Sequence, residues 1–138
     1  MKIIIRNILA VIIGWLCGSI INIELIKTGH KVFHMEGLVP NDMDALAAIM
    51  PTLEFEYFIF PFLADALGTL AGATIPGVIA ASHKMKFSLA IGCLFLAGGI
   101  IMSYMLPGPI WFIILDLLIA YIPMAWIGGK IVDKMSNS

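Results

Sequence analysis

A chain of 138 residues with 61% apolar residues, 12% charged residues and a mean hydropathy of +1.03 lies outside the balance of a water-soluble domain and reads as an integral membrane protein. A formal net charge of −1, without any run of Lys and Arg, gives no basic field for nucleic acid and no patch for recruiting anionic lipid. Cys17 and Cys93 both fall in apolar segments with no CxxC, which reads as small buried side chains rather than a redox pair.

The whole chain, residues 1–138, is read as one transmembrane domain. A hydrocarbon core of about 30 Å takes about 20 apolar residues as helix. The first run of that length is 8–26. Lys2 and Arg6 precede it as in a secretory signal, but no A-x-A pattern follows and Gly14, Trp15 and Leu16 do not form a lipobox before Cys17, so a retained helix is expected. Gly14 and Gly18 lie four apart on a stripe that reaches Asn22, with Glu24 near the far end.

A polar connection, 27–56, follows. Within it "PNDMDALAAIMP" predicts a short helix, capped by Asn41, favoured by Asp42 and Asp44 at its positive end and stopped by Pro51. Leu46, Ile49 and Met50 form its apolar face, which suits a cover over the helix ends or a place among lipid headgroups. His30 and His34, four apart, together with Glu36, Glu54 and Glu56, make a candidate shell for a divalent metal such as zinc, manganese or iron, the one cofactor the chain suggests. The HExxH order of zinc peptidases is missing, and loop histidines commonly have no ligand.

The second span, 57–81, contains "FPFLADALGTLAGATIPG". Asp65, Gly68, Gly72 and Pro76 follow i, i+3, i+7 and i+11, so the carboxylate shares one face with a GxxxG seam. Packing this seam on Gly14 and Gly18 would let Asn22 bond Asp65 across the helix pair, or either seam could join two copies of the chain. "SHKMK" leads to the third span, 87–106, and "PGP" to the fourth, 110–128, so these helices are expected to be antiparallel neighbours. "LCGSII" at 16–21 resembles "LAGGII" at 96–101, a faint internal repeat. Pro76 and Pro123 each remove an amide donor and predict kinks in the second and fourth spans.

Six cations, Lys2, Arg6, Lys84, Lys86, Lys130 and Lys134, fall on one side of this four-span arrangement, against Lys27 and Lys31 on the other. The positive-inside rule then places both termini in the cytoplasm. Asp65 lies about 12 Å and Asp116 about 10 Å below the outer ends of their helices, with Asn22 and Glu24 at similar levels. A carboxylate facing lipid at that depth would cost a few kcal/mol, so this polar group is expected to face protein or a water-filled cavity.

The segments "FPFLADALGTLAGA", "SHKMK", "GGI", "LPGPIWF" and "DLLIAYIPMAWIGGK" resemble small four-helix bacterial inner-membrane proteins of unassigned function. The resemblance covers most of the second to fourth spans. It implies an all-α integral membrane four-helix bundle, with a longer outer loop carrying a short helix between helices 1 and 2, in a bacterial inner membrane. It carries over no activity and no functional residue.

No GxSxG elbow, Walker loop or usable Cys-His pair is present, so an enzyme of the soluble kind is not expected. Three functions fit the residues. The expected one is a small multi-pass protein in the lipid bilayer that works as a homo-oligomer or as a subunit of a larger membrane complex. The alternatives are a proton- or cation-handling transporter or channel using Asp65 and Asp116, and a metal-dependent membrane enzyme using the loop histidines and carboxylates.

Overall fold

In hydrocarbon no water is available to backbone N–H and C=O groups, so an apolar segment must satisfy them within itself and folds as helix. The computed structural model describes residues 2–34 and 42–136, which are all-α and contain four helical segments long and apolar enough to cross a membrane. The chain is thus a membrane protein by the length and composition of its helices.

Helix α1 (Lys2–Val32) has 31 residues, well beyond the expected 8–26 at both ends. At about 1.5 Å per residue it is longer than a hydrocarbon core about 30 Å thick, so both polar ends project past the apolar layer. Helix α2 (Met43–Ile49) is the expected short helix, and its N-cap is Asp42, whose carboxylate accepts from the Asp44 N–H at 2.9 Å. Asn41, read as the cap, lies outside the described residues. Pro51 sits in a 3₁₀ turn, Met50–Thr52, that ends α2, and a second turn, Phe55–Phe58, leads into α3 (Ile59–Ile79).

Helix α4 (Lys84–Met105) returns the chain, and the fourth span is divided into α5 (Ile110–Ile119) and α6 (Ile122–Ser136). The division falls at Ala120 and Tyr121, where Pro123 has no N–H to offer the Ile119 carbonyl. Pro76 acts differently, because α3 remains helical through it to its last turn.

Helix α3 is central and packs against α1, α4 and α6. Small side chains decide this. A Cβ on Gly18 would lie 2.5 Å from the Gly68 carbonyl oxygen, and one on Gly72 would lie 2.8 Å from that of Gly14, so the α1 and α3 backbones touch along both glycine pairs. On the opposite side a Cβ on Gly128 would meet the Leu70 carbonyl oxygen at 2.9 Å, which brings α6 equally close.

Polar side chains finish the helix ends near the termini. Asn7 is buried; its Oδ1 accepts from the Ala81 N–H at 2.7 Å, its Nδ2 donates to Ser82 Oγ at 3.2 Å, and the neighbouring Arg6 donates to the Ile79 carbonyl. These bonds satisfy groups that the end of α3 leaves without intrahelical partners. At the far end, Phe58 meets Trp111 edge to face and Phe112 at a tilt, with ring centroids 5.6 and 4.7 Å apart, an aromatic layer of the kind favoured at a membrane interface. The outward surfaces of the spans remain apolar, with Ile4, Ile20, Ile101 and Leu118 among the exposed side chains, as contact with lipid tails requires.

Candidate functional site

The antiparallel contact of α1 and α3 carries polar groups to one level. Four residues past Gly18 is Asn22; three residues before Gly68 is Asp65. Because the two glycines touch, the side chains one turn away meet, and Asn22 Nδ2 donates to Asp65 Oδ1 at 2.7 Å. Asp116 arrives from the last turn of α5 and lines the same cavity as Asp65.

Tyr121 completes the cluster by donating its hydroxyl to Asp116 Oδ2 at 3.0 Å. Side chains five residues apart lie about 140° from each other around a regular helix. The turn at Ala120 and Tyr121, imposed by Pro123, changes that angle and lets the ring come back toward the acid. Space for the ring comes from α4, where a Cβ on Gly99 would fall 2.5 Å from the Tyr121 hydroxyl.

One acceptor is left over. Asp116 is only 6% exposed, and its Oδ1 receives no hydrogen bond from the described residues. An ionised oxygen buried without a donor is costly in a medium of low dielectric.

These groups form the closed end of a cavity of about 460 Å³. Ala73, Ile91 and Ala125 pack together toward the termini and shut it there. From the acids the cavity runs between walls that include Phe95, Met102 and Phe112 toward the loop end, where Leu46, Met50, Leu53 and His30 line it. Of the expected apolar face, Leu46 and the C-cap residue Met50 line the cavity and Ile49 does not.

Other residues singled out in the sequence lie elsewhere. Glu24 is exposed, pairs with Lys27 at 3.4 Å and does not line the cavity. His34 has a positive φ of 52° beyond the end of α1, so it does not continue the helical face of His30. Glu54 and Glu56 are exposed, and Glu36 lies outside the described residues. Among the described residues no three His, Cys, Asp or Glu side chains are grouped to hold a metal. Cys17 and Cys93 are unpaired, and Cys93 lies on the exposed surface rather than in the interior.

Tyr121 and Gly99 are the site residues that sequence reasoning missed. The available signal was a tyrosine two residues before a proline in an otherwise apolar span, five residues beyond an aspartate. No protein-family model, curated protein or solved structure matches the chain.

Proposed function

We propose that this chain is a cation-handling membrane protein in which Asp65 and Asp116 hold a positive species at one end of a cavity that extends toward the outer face. The observation that carries this reading is that Asp65 and Asp116 line one largely apolar cavity, with Asp116 Oδ1 buried and without a donor among the described residues. Asn22 and Tyr121 supply one donor to each acid, at Asp65 Oδ1 and Asp116 Oδ2. A proton or a cation between the acids supplies what remains.

The six cations at the termini end against two at the loop end support an outer loop and a cytoplasmic location for both termini. The resemblance to small bacterial inner-membrane proteins supports that membrane. The glycine seams that would have joined two copies are filled within one chain, so an assembly would have to use another face.

The test is infrared spectroscopy of the protein in bilayers, with the carboxyl bands assigned through Asp65→Asn and Asp116→Asn. Protons, sodium, potassium, calcium and an organic ammonium ion are varied one at a time. Bands that move with one of these species in the wild type and disappear in the variants support the reading. Bands indifferent to all of them would overturn it and leave a hydrogen-bonded cluster that only holds helices together.

A further inference from the structure

We infer that the positive species is the protonated amine of an amphiphilic organic molecule, with its N–H at the acidic end formed by Asp65 and Asp116 and its apolar body along the cavity. This rests on the cation-handling reading and names the class of ligand.

The groups at the closed end are poorly matched to a bare metal ion. Calcium takes about 6–8 oxygen ligands, and magnesium a near-octahedral set. The side chains that meet here are two carboxylates, one amide and one phenol, and the amide presents its NH₂ to Asp65 while the phenol donates its proton to Asp116. Both neutral groups therefore act as donors, which a metal ion would repel. No imidazole stands at this level, since His30 lies at the other end of the cavity. An ammonium N–H satisfies an acceptor through a single hydrogen bond, and Asp65, which is not fully buried, brings to the cavity wall a carboxylate that accepts from Asn22.

The rest of the cavity gives the other half of the ligand. A proton or a small ion would use only its acidic end. The space of about 460 Å³ falls in the range of small-molecule pockets, about 300–1,000 Å³, which are mainly apolar with a few placed polar groups. Phe95, Phe112 and Tyr121 are among its aromatic walls, and aromatic faces attract an ammonium ion as well as packing against carbon. Leu46, Met50 and Leu53 present only apolar side chains to the end of the cavity away from the acids. Gly98 also lines it, is exposed, and would carry a Cβ that meets nothing within 4 Å, so the cavity is open along α4 there.

The experiment uses the full chain in nanodiscs and a matched pair of probes, 4-phenylbutylamine and the neutral 4-phenylbutan-1-ol. Equilibrium binding is measured to the wild type, Asp116→Asn and Gly98→Leu, with folding checked by circular dichroism. Saturable amine binding is expected, at least about tenfold tighter than the alcohol, with about tenfold loss or more in Asp116→Asn. Gly98→Leu is expected to weaken both probes, because its side chain occupies the open space. Equal binding of amine and alcohol would overturn the inference and describe an apolar pocket. No amine binding, with carboxyl bands that still respond to protons or an inorganic cation, would overturn the ligand class and leave the cation-handling reading standing. No binding and no band response would end both.

Discussion

Asp65 Oδ1 accepts the Asn22 amide at 2.7 Å across two helices whose backbones touch one turn away, at Gly18 and Gly68. The bond and the glycine contact support each other, since the helices must approach this closely for so short a side chain to reach. Asn22→Leu should therefore destabilise the protein by about 1 kcal/mol, the usual scale for a hydrogen bond between membrane helices. Adding Asp65→Leu should recover part of the loss, because the unpaired acceptor is removed as well. Unfolding in mixed micelles measures both, and strictly additive effects would mean that the two side chains are not coupled.

Glycines in the same fold should respond in opposite ways to alanine. In Gly18→Ala the new methyl would lie 2.5 Å from a backbone oxygen that cannot move unless α3 moves, so a loss of about 1–3 kcal/mol is expected. In Gly98→Ala it meets nothing within 4 Å, and the better helix propensity of alanine should give a change between zero and a gain of about 1 kcal/mol. Similar losses in the two variants would contradict the packing of α1 on α3.

Tyr121→Phe removes one donor to Asp116 and little volume, so the fold should persist while the Asp116 carboxyl band shifts. Gly99→Ala should produce the same shift by pushing the phenol away, since its methyl would lie 2.5 Å from the hydroxyl. An Asp116 band unchanged in both would mean that this hydrogen bond is not formed in bilayers.

Pro123→Ala restores an amide able to bond the Ile119 carbonyl. Helices α5 and α6 should then run closer to a single helix, with amide exchange slowed between residues 120 and 124, and Tyr121 should turn away from Asp116. The measurement is hydrogen exchange together with the Asp116 band. Slower exchange with an unmoved band would show that the break does not position the phenol.

Orientation has a direct readout in a chain carrying Cys17→Ala and Cys93→Ala. Glu54→Cys should react with a membrane-impermeant maleimide added outside intact cells, whereas Lys86→Cys should react only after the membrane is opened. Both parent side chains are exposed at opposite ends of the molecule. The reverse pattern would place the loop end of the cavity on the cytoplasmic side.

The transmembrane class and the four spans were legible in the sequence, because hydrocarbon imposes both composition and length on any helix that crosses it. Helix ends were less so: α1 runs on to Val32 through Gly29, which is buried against Phe60 of α3, a tertiary contact that local spacing does not reveal. The shared face of Asp65, Gly68 and Gly72 was also readable, as helical spacing alone determines it. Tertiary structure decided the rest. Glu24 stood at a suitable height in the sequence yet faces outward to Lys27, and height along a helix carries no information about which neighbour a face meets. Tyr121 entered the site because Pro123 broke one helix and Gly99 made room on another, a coincidence of three residues on two elements. The cavity belongs to no local pattern at all, since a space is defined by every helix that leaves it open.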